Sequence, residues 1–163
     1  MKKIFGFSLF ALLTIVAFPV SAQNWRVGWQ ASSMMPSGGA DVKGGVGGGI
    51  TAGCDITENF GLEADVVCHG HTLQFGAEGI WRWQGSALYS DFFGYSRFDP
   101  FSSLGLSCVV GRGGDQAGPK AGVGAYYHLD NNWSLRFDAD AVLALAGRCE
   151  MIFSVSAGVV YSF

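Results

Sequence analysis

The sequence predicts an all-β chain, an antiparallel eight-stranded transmembrane β-barrel preceded by a cleaved signal peptide. The first observation behind this is the alternation of Met151–Phe163. Met151, Phe153, Val155, Ala157, Val159, Tyr161 and Phe163 share one parity. Ser154, Ser156, Gly158 and Ser162 share the other, with Ile152 and Val160 as apolar exceptions. Strand side chains alternate between two faces, so the segment offers an apolar face to lipid and a small, polar face to a lumen. The second observation is the amino-terminus. Lys2 and Lys3 precede an uncharged apolar run from Ile4 to Phe18, then Pro19 and the small residues of Val20-Ser21-Ala22. This is the layout of a secretory signal, and the run is shorter than the roughly 20 residues of a spanning helix. Cleavage after Ala22 gives a signal peptide over 1–22 and one barrel domain over 23–163. The third observation is composition: 25 glycines in 163 residues, with 14% aromatic and only 14% charged side chains. Aromatics supply interfacial girdles, while glycines permit curvature and leave space inside.

The same composition rules other classes out. Glycine without a three-residue period is not collagen, and this aromatic content does not belong to a disordered tail. A net charge of -3 and the lack of a basic stripe leave no place for nucleic acid. Beyond the signal no apolar run is long enough for a membrane helix. Cys54, Cys68 and Cys108 take the lipid-facing parity, where cysteine acts as a small hydrophobe, and Cys149 falls in a loop. No pair is brought together by this register, and no CxxC spacing suggests zinc.

The strands follow in order. Trp25, Val27, Trp29 and Ala31 point outward, and Arg26, Gly28, Gln30 and Ser32 inward; Ser33–Asp41 reads as an exposed loop. Val42–Cys54 is a glycine-rich second strand, and Asp55–Asn59 a tight turn. In the third, Phe60, Leu62, Ala64, Val66 and Cys68 face out and Glu63, Asp65 and His69 face in; His69-Gly70-His71 reverses the chain. In the fourth, Leu73, Phe75, Ala77, Trp81 and Trp83 face out and Thr72, Gln74, Glu78 and Arg82 face in. Gln84–Arg97 reads as a long connection, with an interfacial helix as one form. The alternative makes Ala87–Tyr95 the fourth strand and Thr72–Trp83 part of an outer loop. Phe101–Val110 is the fifth strand, Gly111–Gly118 a loop, and Pro119–Leu129 the sixth strand. Asp130-Asn131-Asn132 is a turn signal. Trp133–Leu145 puts Leu135, Phe137, Ala139, Ala141 and Leu143 outward and Arg136, Asp138 and Asp140 inward. Met151–Phe163 is the eighth.

With these patterns in view, the chain resembles the small outer-membrane β-barrel family of the OmpA transmembrane-domain and OmpX kind. The resemblance is carried by Gly122–Tyr127, by Asp130–Arg136 and by Ser156–Phe163. It implies the bacterial outer membrane as location, outer-membrane lipid as surroundings, and periplasmic chaperones and the barrel-assembly machinery as partners during biogenesis. It also implies that Tyr161 and Phe163 form the assembly signal.

Function is less legible. The inward charges Arg26, Lys43, Glu63, Asp65, Glu78, Arg82, Arg136, Asp138 and Asp140 are costly in a narrow lumen unless paired, so they are expected to interlock. An eight-stranded barrel is just wide enough to be filled by its own side chains, which favours a plugged, non-enzymatic envelope protein over a small porin-like pore. Gly122 and Gly124, across from Asp140 and Asp138, leave room for water in the pore view. Adhesion through the surface loops is the third reading, and no residue identifies a ligand or a cofactor. His69 and His71 with Glu63 or Asp65 are the one metal-like grouping, read as solvated turn residues. Ser134 and His128 are close in sequence, but no hydrolase motif surrounds them, so no catalytic residue is assigned.

Overall fold

A computed structural model describes residues 24–37, 44–83, 97–111, 114–145 and 150–163. They form β1 (Asn24–Pro36), β2 (Gly45–Asp55), β3 (Phe60–His69), β4 (Thr72–Arg82), β5 (Phe98–Gly111), β6 (Gly114–His128), β7 (Trp133–Ala144) and β8 (Glu150–Ser162). Each strand pairs antiparallel with the next, and β8 returns to β1 from Arg26↔Ser162 to Pro36↔Ile152. The cylinder is closed. Every strand therefore has a hydrogen-bonding neighbour on both sides, the condition for crossing hydrocarbon without orphaned backbone groups.

Closure turns the period-two pattern into two environments. Along β1, Trp25, Val27 and Trp29 are exposed on the outer wall while Arg26, Gln30 and Ser32 are buried in the lumen. Along β7, Phe137 and Leu143 face out while Arg136, Asp138 and Asp140 are buried. The outer wall is aromatic at the end carrying the strand termini Asn24 and Ser162, here the near end. Trp25, Trp81, Tyr127 and Trp133 are all exposed there. Trp133 and Tyr161 make an edge contact at 4.9 Å between centroids, and Tyr161 and Phe163 another at 5.0 Å. Such a belt places amphipathic rings at the headgroup level.

Local chemistry fixes the turns. Gly70 has φ of 62°, a conformation that glycine adopts without a Cβ penalty, so His69 and Thr72 pair directly across the hairpin. At the near end Asp130 Oδ1 accepts from the backbone N–H of Asn132 (2.8 Å) and of Trp133 (2.7 Å), closing the turn between β6 and β7.

Several boundaries differ from the sequence reading. Thr72–Arg82 is the fourth strand, because it pairs with β3 on one side and β5 on the other. The expected connection and its interfacial helix fall on residues 84–96, outside the described residues. Gly111 and Gly114–Gly118 are strand rather than loop: β5 runs to Gly111, and β6 starts at Gly114, paired with it, while 112–113 lie outside the described residues. Ser33–Pro36 continues β1 against β8, so the expected loop loses its first half. Backbone hydrogen bonds, which glycine and proline flanks do not disclose, set these ends. Cys68 is exposed and Cys108 partly so on the outer wall. Cys54 holds the same parity but is buried between its register partners Trp25 and Leu62. All three are free thiols.

The core lies inside the cylinder, in layers. At the far end Met34, Val109, Val142, Ala144 and Ile152 form an apolar cluster with almost no solvent contact. A second cluster of Ile80, Phe101, Tyr126 and Val160 lies toward the near end. Polar and charged side chains fill the lumen alongside and between these clusters.

Candidate functional site

The lumen charges form two groups, set by which strands carry inward acidic and basic positions at the same depth. In the central group Lys120 of β6 sits with its Nζ 3.1 Å from Asp65 Oδ1, 3.2 Å from Glu78 Oε1 and 3.4 Å from Asp140 Oδ2. Lys120 is only 3% exposed, and it bridges strands from opposite walls. Arg136 of β7 pairs with Glu63, donates from Nε to Asp138 Oδ1 at 2.7 Å, and stands 3.7 Å from Glu78. Its guanidinium also lies over the Phe101 ring at 5.3 Å. Tyr126 donates its hydroxyl to Glu63 Oε2 at 3.4 Å, joining this group to the aromatic layer.

The near-end group is smaller. Arg82 Nη2 holds both Asp55 oxygens, at 2.8 and 2.9 Å, and its Nε lies 3.6 Å from Asp99. Arg26 Nη2 stands 3.0 Å from the same Asp55, with the guanidinium 5.2 Å over Tyr126.

Glycines make room for the charges. A Cβ at Gly76 would run into the Asp65 carboxylate, one at Gly105 into Glu78, and one at Gly122 into the Asp140 carboxylate. These are ladder partners: Asp65↔Gly76, Glu78↔Gly105 and Gly122↔Asp140. The space opposite Asp138 is filled as well, by the Phe101 ring over Gly124. The expectation that Gly122 and Gly124 leave room for water is thus corrected, because acidic and aromatic side chains already fold into the gaps.

All eight charged positions singled out from the sequence, Arg26, Glu63, Asp65, Glu78, Arg82, Arg136, Asp138 and Asp140, face the lumen, divided between the two groups. Lys43 lies outside the described residues. Sequence reasoning missed Lys120, Asp55, Asp99 and Tyr126. Parity alone assigns Lys120 inward with Gly122, Gly124 and Tyr126, so a signal for it existed. Asp55 falls in the expected tight turn, and Asp99 between the expected connection and the expected fifth strand; both sit at strand ends in the structure.

The remaining candidates separate. His69 is buried rather than solvated: its Nε2 meets Ser32 Oγ at 3.0 Å, and Ser156 donates to the same hydroxyl at 3.1 Å. His71 lies in the turn, and among the described residues no group of three or more His, Cys, Asp or Glu is placed to hold a metal ion. His128 Nδ1 is 2.8 Å from Ser134 Oγ, the contact a nucleophile and base would need. Asp99 stands 3.9 Å from His128 Nε2, beyond hydrogen-bonding reach for an orienting carboxylate.

The middle of the lumen holds very little free volume. Its central void, between Gln30, Asp65, Gln74, Lys120, Asp140 and Ser154, measures about 10 Å³. A cavity of about 280 Å³ opens at the near end, bounded by Arg26, Arg82, Tyr126, His128, Ser134 and Phe163.

A closed eight-stranded cylinder with an apolar wall and a charged interior has counterparts. A family model described as the outer membrane protein beta-barrel domain matches residues 7–163. The chain belongs to this family. It is an outer-membrane β-barrel, located in the bacterial outer membrane. Among solved structures, OprG from Pseudomonas aeruginosa is similar over 87% of this chain and 96% of its own, with a TM-score of 0.60 and 13% identity. Neisserial surface protein A matches over 86% and 96%, with a TM-score of 0.56 and 16% identity. A de novo designed transmembrane β-barrel matches over 85% and 95%, with a TM-score of 0.54 and 14% identity. At these identities the likeness carries the fold alone. None of the curated protein sequences matches the chain.

Proposed function

We propose that this outer-membrane barrel is a closed, non-enzymatic scaffold of the cell envelope, its lumen plugged by interlocking charges. One observation carries the reading: the central void of about 10 Å³ holds roughly one water, and so offers no continuous aqueous path. The apolar cluster of Met34, Val109, Val142, Ala144 and Ile152 supports it by closing the far end above the charges. The 3.9 Å between Asp99 and His128 leaves the His128–Ser134 pair without a hydrogen-bonded carboxylate among the described residues, which fits the non-enzymatic reading.

Lipid of the outer membrane is the partner along the whole outer wall. Biogenesis uses periplasmic chaperones and the barrel-assembly machinery, with Tyr161 and Phe163 as the recognised residues. Phe163 is well exposed beside Tyr161, available to be read. A surface-adhesion role has less support, because the far-end hairpin after β3 turns within two residues, at 70–71. Purified barrel inserted in planar lipid bilayers is expected to give no steady conductance. Reproducible single-channel steps from the folded protein would overturn the proposal.

A further inference from the structure

We propose that the near-end cavity is a binding site for a small oxyanion, with Arg26 as its principal cation. The argument begins from an imbalance of partners. Arg26 is 4% exposed and lines the cavity, yet its Nε, Nη1 and Nη2 make no hydrogen bond. The nearest carboxylate, Asp55, lies 3.0 Å from Nη2, but both of its oxygens already accept from Arg82. Arg82 is shared further with Asp99 at 3.6 Å. Asp55 and Asp99 balance Arg82 and Arg26 in charge, and neither Asp99 oxygen makes a hydrogen bond, yet Arg26 keeps only a misaligned contact with Asp55 plus the face of Tyr126.

A guanidinium with unused donors is a fork for two acceptor oxygens on one atom, the geometry of a carboxylate or a phosphate. Asp55 lines the cavity as well, but Arg82 engages both of its oxygens. Size agrees: about 280 Å³ takes a phosphate or a short carboxylate, near the lower limit of small-molecule sites. Arg82, with a partly exposed side chain, forms the wall by which a ligand enters, and Phe163 and Val160 supply an apolar flank. Free phosphate and the phosphate of a lipid headgroup share this chemistry, and the test separates them. The site does not depend on whether the lumen conducts.

The experiment uses the folded full barrel in micelles of an uncharged, phosphate-free detergent, with amide NMR as readout. Inorganic phosphate is added at constant ionic strength, with chloride as the control anion. The expected result is saturable shifts around Arg26, Asp55 and Gly61, whose missing side chain leaves room for the Arg26 guanidinium. Chloride produces none. Arg26→Gln weakens phosphate at least tenfold, and Arg26→Lys, which keeps charge without the fork, falls between. If a headgroup is the occupant, phosphatidylglycerol added to the micelles produces the same shifts and displaces phosphate. If free phosphate is, the lipid leaves them unchanged. Absence of saturable shifts in the wild-type barrel overturns the site. So does equal response to chloride, or an Arg26→Gln barrel that binds as before.

Discussion

Replacing Lys120 with methionine keeps most of the volume of the side chain and removes its charge. Three carboxylates, those of Asp65, Glu78 and Asp140, lie within 3.4 Å of the ammonium. Glu78 retains Arg136 at 3.7 Å, whereas Asp65 and Asp140 have no other ion-pair partner among the described residues. Removing one partner of a buried ion pair costs about 3–5 kcal/mol, since the survivors stay desolvated and uncompensated. Lys120→Met belongs toward the upper end of that range, because two carboxylates are stranded at once. With a urea slope on the order of 1–3 kcal/mol/M, the unfolding midpoint falls by at least about 1 M. Tryptophan fluorescence of the barrel in lipid vesicles reads this transition. Adding Asp140→Asn to the variant restores part of the loss, because the stranded charge disappears. A loss below about 1 kcal/mol, or no recovery in the double variant, would refute the view that Lys120 neutralises these carboxylates.

Other outcomes follow from facing and packing. Phe137→Arg puts a charge on the lipid wall near the middle of β7 and costs about 2–4 kcal/mol by vesicle unfolding; a negligible loss would mean that Phe137 does not meet hydrocarbon. Gly122→Leu displaces the Asp140 carboxylate and destabilises by about 1–3 kcal/mol in the same assay. Gly45→Ala, where a Cβ meets nothing within 4 Å, stays within about 0.5 kcal/mol. Backbone N–H groups of Trp133 and Asn132 hold the Asp130 carboxyl below the usual carboxylate range. Its folded value is depressed, so the turn contributes fully above about pH 4 and loses that contribution as acid protonates Asp130. Unfolding curves of Asp130→Ala and wild type therefore converge at low pH, and a difference that persists there would contradict the assignment.

Much of the barrel was legible where successive side chains contrast strongly. Trp25–Ser32, Trp133–Leu143 and Met151–Phe163 each alternate bulky apolar with charged or small residues, and parity alone assigns their faces. Between Gly111 and Gly118 that contrast vanishes. Glycine carries no facing information, so β5 and β6 were each cut short. Reading Pro119 as the start of a strand drew attention from Lys120, although its parity was correct. Asp55 and Asp99 were hidden for a different reason: strand ends depend on the register with neighbours, and a turn residue by sequence becomes a lumen residue by one further ladder pair. The partners themselves were beyond reach. Lys120 of β6 reaches Asp65 of β3 across the diameter of the cylinder, a contact fixed by stagger and side-chain length rather than by strand order. His69 shows the same limit, since its buried partner Ser32 lies on β1.

Collision accessibility of spin labels placed singly from Leu135 to Leu143, in a cysteine-free barrel reconstituted in lipid, tests the sealed lumen most directly. The account predicts that labels at 135, 137, 139, 141 and 143 collide with lipid-dissolved oxygen. Labels at 136, 138, 140 and 142 should meet neither oxygen nor a water-soluble nickel reagent. Strong nickel collisions at 138 and 140 in the folded barrel would show water standing in the lumen and would contradict it.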